Sequence, residues 1–152
     1  MSSTATVSSD HPIHCLYEQI LKAWNQQDAA AMAAQFEKDG SQADKRSAIE
    51  NHLRPIFADH HTAAYVAKVR EIRMLGPHVG ILRVVVGMIP PGSDDINPAG
   101  NTIQTLVAVE GADAWRAALF QSTPAAWLGR PQDSAALTEE LRKVMRRGLT
   151  AA

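Results

Sequence analysis

Apolar residues recur at helical spacing through the first third of the chain. Ile13, Leu16, Tyr17, Ile20, Leu21 and Trp24 recur at spacings of three and four, which places them on one stripe of a helix. Asp10 stands where an N-cap is expected, and Pro12 falls in the first turn, where its missing N–H costs nothing. Asn25-Gln26-Gln27 interrupts the stripe. Asp28 is then expected to cap a second, Ala-rich helix carrying Ala29, Met32, Ala33 and Phe36, with Asp39-Gly40 stopping it. Beyond the polar stretch Ser41 to Lys45, the residues Ile49, Leu53, Ile56 and Phe57 predict a third helix. Pro55 is a candidate kink in it, and Asp59-His60-His61 its end.

The period then shortens to that of strands. Thr62 to Leu75 reads as a long strand with an exposed stretch, Gly76-Pro77 as a turn, and Val79 to Ile89 as a strand buried along much of both faces. Pro90-Pro91-Gly92 ends it, and Ser93 to Gly100 is a loop. Thr102 to Val109 and Ala114 to Gln121 form a third and fourth strand around a tight hairpin at Glu110 to Asp113. After an irregular segment with Gly129 and Pro131 as breakers, Asp133 or Ser134 caps a last helix through Leu137, Leu141, Val144 and Met145. Helices first and a meander after give an α+β class. The expected form is a cone-shaped, curved antiparallel sheet of about four strands, packed against three N-terminal helices, with a C-terminal helix added. Such a cone leaves a hollow suited to a small ligand.

Composition narrows the function classes. The 152 residues suit a single domain, with a tail at 1–10, the domain proper at 11–124 and an extension with one helix at 125–152. A formal net charge of −1 offers no field for a phosphate backbone or an anionic bilayer, so neither nucleic acid nor membrane is an expected partner. The single cysteine, Cys15, excludes an intrachain disulfide and a multi-thiolate zinc site. The opening residues Met1 to Ser9 are Ser/Thr-rich, with no basic start and no apolar run, and read as a disordered tail and not a signal peptide. Nothing approaches the roughly 20 apolar residues that span a bilayer, and the cytoplasm is the expected compartment.

Three phrases in order carry a resemblance. They are Tyr17 to Ala29, with Trp24-Asn25-x-x-Asp28, followed by Phe36-x-x-Asp39-Gly40; Met74 to Leu82; and Thr105 to Glu110 leading into Trp115-Arg116 and Thr123-Pro124. Together they resemble the SnoaL-like and SgcJ/EcaC-like branches of the nuclear-transport-factor-2-like superfamily. The resemblance implies a cone-shaped fold, frequent homodimers and cofactor-independent isomerase, cyclase, hydratase or hydrolase chemistry. It also implies a β-hairpin between Asp39-Gly40 and the third helix, for which Ser41 to Lys45 leaves too little chain. That hairpin is therefore expected to be shortened or missing, with the cone mouth more open or patched by the last helix or a partner. Ketosteroid isomerases of the superfamily use a tyrosine where this chain has Ile20, and an aspartate in the hairpin. Steroid-isomerase chemistry is disfavoured on both counts.

The candidate polar residues are few. Arg83 interrupts an apolar run, so it either lines a polar cavity or faces solvent at an edge or dimer interface. Gln104 and Gln121 interrupt the last two strands in the same way. If the three share an inward face they converge on one pocket, to which Tyr17 can add a hydroxyl. His60 is a weak candidate base, against the alternative of a helix-end or surface histidine. No cofactor or metal motif is present. A small organic ligand and a homodimer through the sheet face, with Val84 and Val86 contributing, are the expected partners. A non-catalytic interaction module is the rival reading.

Overall fold

The computed structural model describes residues 7–42 and 44–152. Of the expected N-terminal tail, residues 1–6 lie outside the described residues, while Val7 is half-buried against the main core. Helix α1 (Pro12–Asn25) forms as the stripe predicts, with Pro12 at its start. Its cap is His11 and not Asp10: the His11 Nδ1 accepts from the Ile13 N–H at 3.1 Å. Helix α2 (Ala29–Ala34) is capped by Asp28, whose Oδ1 accepts from the Ala31 N–H at 3.0 Å.

The first large departure follows. Helix α2 ends after six residues, and Phe36–Gln42 is strand β1. The cause is tertiary. The carbonyls of Ala34 and Gln35 are taken by the Arg116 side chain and the Ala117 N–H, so the chain turns into the sheet before another helical turn can form. Gly40 is therefore no helix stop. A Cβ at that position would lie 2.3 Å from the Ala117 carbonyl oxygen, so glycine is what lets β1 approach its neighbour. Strand β2 (Asp44–Lys45) folds back antiparallel on β1. The early hairpin exists in shortened form, because its first strand draws on residues assigned to the helix.

Helix α3 (Arg46–Asp59) carries Pro55 within it and buries Ile49 and Leu53. Strands β3 (Ala64–Gly76), β4 (Val79–Ile89), β5 (Asn97–Glu110) and β6 (Trp115–Pro124) complete one sheet in the order β2-β1-β6-β5-β4-β3. All pairs are antiparallel except β1 with β6, and irregularities in register interrupt β1·β6 and each of the longer pairs, bending the sheet. Helix α4 (Pro131–Arg146) starts with Pro131 at its first position and Arg130 as a cap without a side-chain bond, so neither Asp133 nor Ser134 caps it.

Strand alternation gives the sheet two faces with separate cores. The inner face presents Leu82, Val84, Val86, Leu106, Ala108 and Phe120 to α1 and α2. The outer face presents Val85 to Ile96 and to Leu137 and Leu141 of α4. The last helix thus packs on the outer face and does not patch the cone mouth. Val84 and Val86 are fully buried on the inner face and are not available to a partner. Helix α4 is latched at several points. Arg70 holds Glu140 with two bonds of 2.5 and 2.6 Å, Arg142 grips Asp95 at 3.0 and 3.1 Å, and the buried Asn101 amide donates to Thr138 at 2.8 Å. Gly148, at φ 73°, ends this element in the left-handed conformation. Residues 150–152 then lie along β3, with Ala67 and Val69 N–H groups donating to Thr150 and Ala152 carbonyls at 2.8 Å. This covers part of a sheet edge that would otherwise be open.

Candidate functional site: a cavity under the first helix

Helix α1 crosses the inner face of the sheet and leaves a partly enclosed cavity of about 60 Å³. Its walls come from α1 (Tyr17, Ile20, Leu21, Trp24), Met32 of α2, Tyr65 of β3, Gln104 of β5, and Phe120 and Ser122 of β6. Most of the surface is aromatic or aliphatic, and the polar groups fall into one line. Tyr17 Oη donates to Gln104 Oε1 at 2.7 Å, and Gln104 Nε2 donates to Ser122 Oγ at 3.3 Å. Tyr17 and Gln104 are almost wholly buried, while Ser122 is exposed, so the line runs from the protein interior to solvent.

The sequence places these groups by simple periodicities. Tyr17 lies one turn from Leu21 on the α1 stripe, and Gln104 and Ser122 face each other directly across the β5–β6 ladder. The remaining wall is fixed by a side-chain clamp. Asn25 accepts from the Tyr65 N–H at 2.8 Å and donates to the Tyr65 carbonyl at 3.1 Å, imitating a neighbouring strand. Trp24 Nε1 donates to the Ala63 carbonyl at 2.9 Å, and its ring stacks on Tyr65 at 5.4 Å between centroids and 10° between planes. Phe57 meets the same indole edge-on at 5.4 Å.

Both tyrosines stay protonated. Burial pushes the Tyr17 hydroxyl far above its ordinary value, and the proximity of Tyr65 adds to the rise. Burial raises Tyr65 as well. Among the described residues every lining side chain is uncharged. Chemically, the site offers neutral hydroxyl and amide groups at one end and aromatic faces along the sides.

Of the residues singled out in the sequence, the structure brings Tyr17 and Gln104 into direct contact and leaves the others elsewhere. Arg83 pairs with Thr105, and Thr105 with Gln121, on the outer face of the sheet. Arg83 is 55% exposed and stands 3.7 Å from Glu71. Gln121 is exposed too, so the expected convergence of Arg83, Gln104 and Gln121 does not occur. His60 is exposed just past α3, where its carbonyl accepts from Gln27 at 3.4 Å, and it does not line the cavity. Ser122, Tyr65 and the Trp24–Asn25 clamp were not recognised as site residues. The pairing of Gln104 with Ser122 depends on the actual turn and on the register shift between Val107 and Ala108, where the expected tight hairpin would have set Gln104 opposite Leu119.

No protein-family model matches the sequence, and no curated protein matches it. Solved structures do. The chain is similar to a domain of unknown function with a cystatin-like fold from Nostoc punctiforme, at 18% identity and a TM-score of 0.71, covering 93% of this chain and 95% of that one. It is also similar to a ketosteroid isomerase-like protein from Erwinia carotovora atroseptica, at 14% identity and a TM-score of 0.61, covering 78% and 98%. An NTF-2-like protein of unknown function from Shewanella oneidensis matches at 15% identity and a TM-score of 0.61, covering 76% and 98%. At these identities the likeness is one of fold: the chain has the nuclear-transport-factor-2-like, cystatin-like architecture.

Proposed function

We propose that this chain is a small-molecule-binding domain whose ligand enters the cavity under α1 and meets the Tyr17–Gln104–Ser122 line. The observation that carries the reading is the buried hydrogen bond between Tyr17 and Gln104 at the wall of a cavity with aromatic sides. Two polar side chains on an apolar core face cost stability unless paired. Here they are paired with each other and lead outward to solvent, the arrangement of a recognition site with few, fixed polar groups. Ligand-observed NMR of the full chain against a fragment library tests this. Ser122→Leu fills the cavity from its exposed end and removes the acceptor of one Gln104 amide hydrogen. Hits that bind the wild type and are lost in a folded Ser122→Leu variant support the reading, and hits indifferent to it count against it.

Membership of the SnoaL-like or SgcJ/EcaC-like branch, and use of the site for cofactor-independent isomerase, cyclase, hydratase or hydrolase chemistry, rest on the sequence resemblance. The nuclear-transport-factor-2-like fold is compatible with both. Among the described residues no helix is long and apolar enough to cross a membrane; cytoplasmic residence is part of this proposal.

A second reading has its own observation. Helix α4 covers the outer face at Val85 and Ile103, but Ile81, Val107 and Leu119 on that face are only half-buried within the chain. A homodimer through this remaining apolar patch, rimmed by Arg83 and Gln121, is the rival or companion function. Sedimentation velocity at high concentration tests it: a Val107→Lys variant shifts a dimer to monomer, whereas a wild type that is already monomeric removes the reading.

A further inference from the structure

We propose that the open edge of β3 is a docking site for an extended segment of another polypeptide, and that residues 148–152 hold part of that site as a displaceable strap. β3 is the last strand of the sheet, so its outward N–H and C=O groups have no neighbouring strand to pair with. The first of these groups are taken by a side chain: Asn25 bonds both the N–H and the carbonyl of Tyr65. The next are taken by the strap. The Thr150 and Ala152 carbonyls accept from Ala67 and Val69, and the Ala152 N–H donates to the Ala67 carbonyl at 3.0 Å. Ala67 and Ala151 pair in parallel, so the strap sits as a short added strand. It shows what the edge accepts: an extended backbone, parallel to β3, with a small residue where Ala151 packs against the main core.

Two observations make the strap replaceable by a longer segment. Its hold is slight. Three backbone hydrogen bonds tie it to β3, Thr150 is exposed, and Ala151 and Ala152 are only half-buried. Gly148 joins it to α4, and glycine adopts an undocked conformation without steric cost. Helix α4 keeps its own latches to Arg70 and Asp95, so release of the strap leaves the second core in place. The strap also stops short. β3 runs on to Gly76, and past Val69 no strand pairs with that side of it among the described residues. The register shift at Arg70 bends the strand but leaves Glu71 and Arg73 paired with β4. Charge does not shield this stretch: Arg70 is turned to Glu140 of α4, and Glu71 stands 3.7 Å from Arg83 on the outer face. It ends in Met74 and Leu75, which are 42% and 55% exposed. A partner strand reaching from Ala67 towards Leu75 gains the backbone groups beyond Val69 and covers this apolar end. The strap does neither.

Two synthetic peptides test this. The first, Leu-Thr-Ala-Ala-Val-Thr-Val-Thr-Val-Lys, repeats the strap and continues it past Val69. Its control carries proline at the fourth and sixth positions, which removes the N–H groups aimed at the Ala67 and Val69 carbonyls. Each is titrated into the ¹⁵N-labelled full chain, wild type and Ala152→Pro, following the Ala67 and Val69 amides. Ala152→Pro deletes the strap's N–H bond to Ala67 and touches nothing in the core. Without peptide it is expected to speed hydrogen exchange at Ala67 and Val69 severalfold and to leave Val84, inside the sheet, unchanged. The first peptide is expected to shift both amides in both proteins. It should bind the variant severalfold more tightly, because the strap competes less there. The control is expected to move neither amide. If the first peptide leaves Ala67 and Val69 unmoved, or binds no better than its control, the docking site is overturned. Equal affinity for wild type and Ala152→Pro overturns the strap as a competitor for it.

Discussion

The two faces of the sheet carry the same kind of sequence feature and put it to opposite use. On the inner face, Gln104 interrupts an apolar strand and is buried, with its amide bonded to Tyr17 and Ser122. On the outer face, Arg83 and Gln121 interrupt apolar strands one register step away and stand in solvent. Composition cannot separate these cases. Strand parity does, since a shift of one residue moves every side chain to the other face. Burial then decides the cost: an unpaired amide on the inner face is expensive, while water satisfies the outer groups without help.

The largest effect that sharpens this contrast concerns the second core. Leu141→Ala, beneath the outer face, is expected to cost about 2–5 kcal/mol in chemical denaturation, as for a fully buried leucine. A loss near zero would make α4 an appendage and leave the outer face open.

Next comes the inner polar pair. Tyr17→Phe leaves the buried Gln104 oxygen without its donor and is expected to cost about 1–3 kcal/mol. The same residue has a pH signature. Its folded-state ionisation lies above the unfolded value of about 10, so the stability it supplies is complete below that pH. Above it the unfolded chain loses the proton and the folded one keeps it, so stability falls as pH rises. Tyr17→Phe is expected to flatten the alkaline limb of a stability–pH curve, and an unchanged limb contradicts the buried hydroxyl.

Much of this architecture was legible beforehand. α1 and strands β3 to β6 were readable because their periodicity is long and unbroken. The α2–β1 junction was not, because the Ala-rich run continues the helical period to Phe36, and only contacts from Arg116 and Ala117 stop it. Of the polar candidates, Tyr17 and Gln104 line the cavity while Arg83 and Gln121 stand on the other face, a difference of strand parity. The loop between the second and third expected strands left the register of Arg83 against Gln104 open. Asn25 was read as a helix breaker; that its amide grips the Tyr65 backbone, 40 residues on, is a tertiary fact with no local signal.

Smaller effects belong to the outer face. Arg70 holds the Glu140 carboxyl below its usual range, first through their hydrogen bonds. That contribution is present above the ordinary carboxylate range and is lost as pH falls through the depressed value. Glu140→Gln is expected to cost less than about 1 kcal/mol, since solvent and salt screen a pair this exposed. Its effect should shrink further in high salt. Smallest of all, Arg83→Ala and Gln121→Ala are each expected to stay within about 0.5 kcal/mol of the wild type and to leave fragment binding unaltered. Loss of binding in either would return those residues to the site.

A crystal structure of the chain with a bound fragment addresses the inner cavity most directly. The expected result is a fragment between Trp24, Tyr65 and Phe120 with a polar atom in hydrogen-bond reach of Ser122. A fragment seated against Arg83 and Gln121, with the Tyr17–Gln104 bond undisturbed and the inner cavity unaltered, would contradict it.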